Sequence, residues 1–406
     1  MEWRFEAPAK ERGLTGPVVE GDLALAAGRE GVYAVHLADG RLAWQLPRSG
    51  GPLGAEPAVA RLGRRQVLLF TEGERARDSR LRAYDVGSRK HLWDVGLQDV
   101  SSSGVSVDGD TAFVGDRSGT LYAVDVGSGR IRWKFHGDGV IDAPVAAAGG
   151  RVYVVTANRS TNQVDLVSLA EEGGKTEWSF SPVQLATFGT AATVAGDSVY
   201  LGLGDRSMYS ADVRTGTERW SSHVASAFSP IAGVATQGKE VVAVGTFPLT
   251  AGAGVYGFDP QTGARRWWFQ FDSPSLLSSP VIAGRDVLVG LNDGHLAAID
   301  VVTGHEVWEG KTGAGPLGPI ALAGDLVVVS KAGNRGGLVA FRTDPSGRLT
   351  DVTSRTKLDL AVSLRNYAIT FLALAAGVLL LGRLGRALGG DDGPAEQDAD
   401  VGGEPA

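Results

Sequence analysis

Tyr122-Ala123-Val124-Asp125-Val126-Gly127-Ser128-Gly129-Arg130-Ile131-Arg132-Trp133 decides the fold, because its spacing recurs along the chain. An acidic residue precedes the tryptophan by eight positions and a glycine precedes it by four. Asp212/Gly216/Trp220, Asp259/Gly263/Trp267 and Asp300/Gly304/Trp308 repeat that spacing. Eight of the nine tryptophans form one ladder, Trp3, Trp44, Trp93, Trp133, Trp178, Trp220, Trp267 and Trp308, at steps of 41, 49, 40, 45, 42, 47 and 41 residues. A period in the forties made of short β runs describes a propeller blade, a unit that buries its faces only against its neighbours.

Between rungs, Val/Ile/Leu/Tyr runs alternate with Gly, Asp and Asn, the pattern of four-stranded meanders. In the third repeat the predicted strands cover 104–107, 111–115, 121–126 and 130–135. The recurring Asp-x-x-Ser/Thr-Gly turn has a mechanical reading, since an aspartate carboxylate accepts N–H groups within a turn and glycine supplies positive φ. A catalytic aspartate would sit in a unique constellation, and these recur, so they are read as structural. The ladder tryptophans are read as wedges between blades, each burying roughly 150–250 Å².

Seven repeats end in their own tryptophan, and an eighth, beginning near Gly318 and running to Phe341, lacks one. Glu2-Trp3-Arg4-Phe5 resembles the end of a repeat (compare Arg132-Trp133-Lys134-Phe135), so the expected fold is an all-β, eight-bladed propeller of four-stranded antiparallel blades closed by the N-terminal strand. Closure removes edges that would template aggregation. The competing assignment gives the last strand to 348–352. The expected organisation is a propeller over 1–347, a linker over 348–365, a transmembrane helix over 366–382, and a short basic flank with an acidic tail over 383–406.

Residues 366–382 carry no charge and lie between Arg365 and Arg383. As a helix they span about 26 Å at ~1.5 Å per residue, near the ~30 Å hydrocarbon thickness, with flanking arginines able to snorkel. The run is apolar on all faces, which favours a single-pass membrane anchor over an amphipathic helix packed on the propeller. Arg355, Lys357 and Arg365 precede it and Arg383 and Arg386 follow, a margin too small to set orientation. Residues 1–10 contain no apolar run of the signal-peptide kind, so the propeller is expected in the cytosol if Met1 is the true start and outside it if a signal peptide precedes the recorded start.

The 406-residue chain contains no cysteine, which excludes disulfides, thiolate metal sites, Cys nucleophiles and Cys-linked lipid anchors. Its net charge is −7, and six acids fall in 389–406, which is no footprint of a nucleic-acid binder. The six histidines show no ligand pairing, and no phosphate loop, nucleophile elbow or paired-carboxylate motif occurs.

The text Leu-Tyr-Ala-Val-Asp-Val-Gly-Ser-Gly-Arg-Ile-Arg-Trp-Lys-Phe resembles the pyrroloquinoline-quinone-like (PQQ-like) propeller repeat. That family includes quinoprotein alcohol dehydrogenases and BamB-like lipoproteins of the outer-membrane β-barrel assembly machinery, so the resemblance, which covers residues 2–347, implies fold more strongly than function. The enzymes hold a quinone with three carboxylates beside calcium, which requires bases and carboxylates facing the channel. Here 143–146, 191–194 and 280–283 are without charge apart from Glu56 and Asp142 near the starts of inner strands. The lipoproteins are anchored by an N-terminal cysteine, which is absent here.

In a meander the loop between second and third strands opens on the same face as the link to the next blade. These loops are expected to be short in blades one, three, five and seven and long in blades two, four, six and eight, at 71–80, 158–163, 246–254 and 331–337. The long set supplies the candidate partner-binding rim: Glu74, Arg75 and Arg77; Asn158, Arg159 and Asn162; Phe247 and Leu249; Asn334 and Arg335. Trp268, off the ladder, points away from Trp267 and either stands exposed as an anchor or packs within the propeller, the commoner use of such a ring. The function expected is a non-catalytic, membrane-anchored scaffold for protein partners, with no cofactor. A quinone-dependent dehydrogenase or sensor is the alternative.

Overall fold

The structure, a computed structural model, describes residues 1–48, 56–182, 186, 188–224, 231–238, 240–247, 252–271, 278–313, 315–333, 335–344 and 349, with the side chains of 232, 246, 247 and 252 left out. Eight four-stranded antiparallel sheets follow one another along the chain. Blade 1 occupies 18–47, and blades 2 to 7 occupy 58–96, 105–136, 146–180, 193–223, 231–271 and 281–311. Blade 8 has three strands within 317–342, and its fourth is Trp3–Glu6, paired as Trp3↔Ala340, Arg4↔Val339, Phe5↔Leu338 and Glu6↔Gly337. The N-terminus therefore closes the ring. Of the competing segment only residue 349 lies among the described residues, where it bridges Thr343.

The third repeat shows how sequence becomes blade. Its strands are Val105–Asp108, Thr111–Gly115, Thr120–Asp125 and Ile131–His136, within one residue of the predicted bounds. In every blade the tryptophan on the outer strand stands directly across from a small residue, Ala34, Ala83, Ala123, Ser168, Ser210, Gly257, Ala298 or Ala340. The missing bulk leaves room for the indole to lie toward the neighbouring blade.

Six of these indoles end on the same partner, the turn between third and fourth strands of the following blade. The ring N–H of Trp3, Trp93, Trp133, Trp178, Trp220 and Trp267 donates to the carbonyl of Leu37, Val126, Glu171, Val213, Pro260 and Val301 at 2.6 to 3.1 Å. The repeat glycine is required twice there. Gly129 has φ +73, and a Cβ on it would meet Trp93 at 2.7 Å. Blade 2 breaks the pattern, since Arg89 holds the same left-handed turn position at φ 60.

The turn aspartates act as the repeat implies. Asp125 Oδ1 accepts the Ser128 N–H at 2.8 Å and its hydroxyl at 2.7 Å, and Asp85, Asp212, Asp259 and Asp300 repeat the arrangement. One feature of each blade was not expected. In blades 1 to 7 the pairing of third and fourth strands slips by one residue just before the tryptophan, so that Trp133 opposes Ala123 while Val124 opposes Ile131. Arg132 is the extra residue. Such a bulge re-aims its side chain, and Arg132 uses that freedom to bridge Asp110 at 2.7 Å and Asp125 at 2.6 Å. Arg219 does the same between Asp197 and Asp212, and Arg266 between Glu240 and Asp259.

Trp268 is 48% exposed. Its expected packing within the propeller is thus corrected: one step along the strand from buried Trp267, it faces away from the blade interface. Among the described residues no helix is long and apolar enough to cross a membrane. The 366–382 segment lies outside the described residues.

Deleting residues 1–6 strips blade 8 of its outer strand and removes the Trp3 wedge. We expect a markedly lower melting temperature or aggregation, and an unchanged melting curve would overturn closure. The turns predict an acid transition as well. The Arg132 guanidinium and Ser128 hold Asp125 down to about 2, and Arg219, Arg266 and the Ser88 N–H do the same for Asp212, Asp259 and Asp85. A carboxylate depressed in the folded state contributes stability above its ordinary pKa near 4, and that stability is lost as pH falls through about 2. Thermal melts from pH 5 to 2 should show a fall that flattens when the four aspartates are changed to Asn.

Candidate functional site

Strand alternation places the second-to-third-strand connections and the links between blades on one rim. The expected alternation around that rim is present in blades 1 to 7 as strand length, whereas the second strand of blade 8, Leu326–Lys331, has 6 residues. The second strands of blades 2, 4 and 6, Arg65–Glu72, Arg151–Asn158 and Glu240–Phe247, have 8 residues each, whereas those of blades 1, 3, 5 and 7 have 5. Of the four expected long loops, 158–163 and 246–254 begin and end as strand, with Asn158↔Gln163 and Phe247↔Gly252 paired. The 71–80 loop is paired at Thr71↔Leu81 and Glu72↔Arg80 and keeps residues 73–79 outside the ladder, and 331–337 is closed by the pair Lys331↔Gly337. Their Thr, Asn and Gly residues read as loop in sequence. Backbone ladder bonds do not require apolar side chains, however, and the pairing runs through them.

The shorter hairpins are tied down by carboxylates that sequence reading missed. Glu11, fully buried on the link from the closing strand, accepts the N–H groups of Arg29 and Glu30 at 2.7 Å each and the Tyr33 hydroxyl at 2.9 Å. In blade 3 Asp116, also fully buried, accepts the Gln98 and Asp99 N–H groups at 3.1 Å and the Tyr122 hydroxyl at 3.2 Å. Asp205 accepts the Tyr209 hydroxyl at 3.0 Å in blade 5. Burial, with Asp116 beside it, pushes the Tyr122 phenol up to about 12, so it stays a donor throughout the physiological range. The signal in sequence was a tyrosine two positions after the start of the third strand in blades 1, 3 and 5, at Tyr33, Tyr122 and Tyr209.

The candidate rim residues occupy alternate blades and do not meet. Glu74 pairs with Arg29 of the neighbouring hairpin at 2.6 Å, Arg75 leads into the 3-10 turn Ala76–Asp78, and Arg77 pairs with Asp78 at 3.7 Å. Asn158 serves its own turn, accepting the Ser160 N–H at 3.0 Å and donating to the Asp138 carbonyl at 2.9 Å. Arg159 pairs with Asp142 at 2.8 Å, while Asn162 takes φ 55 and its carbonyl accepts the Ala186 N–H. Phe247 ends its strand, Arg335 reaches Glu6 at 3.3 Å, and Leu249 and Asn334 lie outside the described residues.

Two clefts open on this rim. One, of about 470 Å³, lies between blades 3 and 4 and is lined by Arg117, Ser118, His136, Asn158 and Arg159 among others. The other, of about 520 Å³, lies where the closing strand meets blade 8 and is lined by Arg4, Glu6, Lys331, Arg335 and a set of glycines.

The inner strands do not fit a tricarboxylate quinone with calcium. Among the described residues the one base on them, Arg61, is paired with Glu20 at 2.9 Å. Burial raises the Glu56 carboxyl, and Asp142 is engaged by Ser102, Arg117 and Arg159. Among the described residues no group of His, Cys, Asp or Glu could hold a metal ion.

Tryptophan ladder, turn and closure together define a PQQ-like propeller of eight blades. The chain belongs to the family described as outer membrane protein assembly factor BamB, whose family model matches residues 77–231 and 227–358. A protein of that name from Burkholderia pseudomallei is 30% identical over 183 residues, covering 44% of this chain and 43% of the relative. The Shewanella oneidensis protein of that name is 24% identical over 322 residues, or 73% of this chain and 74% of its own. Matches to the Burkholderia protein and to one from Bordetella pertussis span less than half of those relatives, 43% and 46%. Among solved structures, the computationally designed Ika8 protein has a TM-score of 0.68 at 13% identity, covering 84% of this chain and 99% of its own. A quinohemoprotein alcohol dehydrogenase from Pseudomonas putida has 0.66 at 13%, covering 88% and 78%. At such identities the likeness is one of fold alone.

Proposed function

We propose that this chain is a non-catalytic binding propeller that holds protein partners at its rim during envelope protein assembly, and that residues 366–382 tether it to a membrane. The observation that carries this reading is the rim: extended hairpins of blades 2, 4 and 6 project between shorter hairpins held by the carboxylates of Glu11, Asp116 and Asp205. Rigid scaffolds display recognition on such projections. Membership of a family described as an outer membrane assembly factor supports the assembly setting. The inner strands offer a quinone no cationic clamp, which leaves the dehydrogenase alternative without a supporting contact.

Changing Phe247 and Leu249 to Ser, or Arg159 to Glu, should weaken partner association about five- to thirtyfold, as removal of interface anchors does. Affinity capture of the full chain from membranes of its own organism, compared across these variants, measures it. Asp125→Ala on the opposite face should leave capture intact, and full retention of partners by the rim variants would overturn the reading of this face. Truncation at Arg365 should give a folded propeller that stays in the supernatant, because the last paired strand, Gly337–Arg342, precedes the cut. Sedimentation of that fragment with membranes would overturn the tether.

A further inference from the structure

Ring closure brings two cations together from opposite ends of the sequence. Arg4 stands on the closing strand and Lys331 at the end of the second strand of blade 8. A side-chain carbon placed on Gly313 would lie 3.3 Å from Arg4 Nη2 and 3.6 Å from Lys331 Nζ, so both heads converge over one glycine. Arg4 donates to the Thr312 carbonyl. Among the described residues Lys331 has no ion-pair partner, and the acid whose charge acts on it, Glu6, is engaged by Arg335 at 3.3 Å. Burial, with Arg4 beside it, lowers the Lys331 ammonium from its ordinary range, against a smaller opposing effect of Glu6.

Like charges converging in a partly desolvated space are unfavourable until an anion lies between them. The walls of the cleft are suited to one. Gly315, Gly333, Gly336 and Gly337 present backbone rather than side chains, and the space, about 520 Å³, exceeds what a lone ion fills.

We propose that this cleft is an oxyanion site in which Arg4 and Lys331 together take one carboxylate or phosphate group carried on a larger molecule. The guanidinium offers a planar fork that matches either group, and the ammonium supplies a compact second charge. The Arg335–Glu6 pair flanks the site. The assignment is independent of the partner-binding reading, because it concerns the anion whatever bears it.

The test follows the melting temperature of the full chain in detergent against added inorganic phosphate and, separately, acetate, with ionic strength held constant by chloride. The wild-type protein should be stabilised, and the anion with the greater effect distinguishes a tetrahedral from a planar ligand. Lys331→Met should melt at or above the wild-type temperature without anion, since the repulsion is gone, and should bind about tenfold more weakly, the usual consequence of losing a charge-assisted bond. Lys331→Arg, which keeps the charge, should retain the response and guards against a folding defect in Lys331→Met. Arg335→Ala, outside the converging pair, should also retain it. Equal responses of wild type and Lys331→Met to both anions would overturn the proposal, as would the absence of any wild-type response.

Discussion

Six of the eight blades depend on one contact that they do not make with themselves, the indole of the outer strand lying on a turn of the next blade. The ring N–H ends on a carbonyl one residue past the start of that turn, as in Trp93 to Val126 and Trp220 to Pro260. A glycine at the contact lets the ring approach while allowing the turn its positive φ. The aspartate, the bulge and the bridging arginine all serve to hold that turn still. Packing between sheets is non-directional, and a hydrogen bond at the perimeter adds a constraint on the angle between neighbours.

Tryptophan, glycine and aspartate were therefore legible in sequence, because most repeats meet the same geometric requirement with the same residues. The bulge was harder to see. Arg132, Arg219 and Arg266 stand immediately before a tryptophan in three repeats, but Ala43, Leu92 and Val307 hold the same place in others. What recurs is a backbone slip and not a residue type. Arg89 shows the converse, a left-handed position kept by the fold after the glycine that suits it has been replaced.

The rim was legible in position and not in contacts. Its hairpins were found from connectivity, and Arg335, read from sequence as a rim residue, lies beside a cleft. Arg4 and Lys331 were not, since no local pattern relates residues that only closure brings together. Glu11 and Asp116 escaped for a related reason: each is buried where a link between blades meets a hairpin, and a lone acid looks solvated until the two are brought together. Asn158 went the other way, an amide that invited a binding role and is occupied by its own turn.

The pairing of Trp3–Glu6 with Gly337–Arg342 also has a bearing on time. During synthesis the first strand has no partner until the last blade emerges, an interval on the order of 20–70 s for some 340 residues at ~5–20 residues per second. Blades can form in turn as they appear, but the ring stays an open arc with an exposed edge at each end, and the final loop must close across almost its whole length. The nascent protein thus carries, for that interval, the unpaired edges that the finished ring hides, and the completed molecule owes its resistance to aggregation to the last step of its assembly.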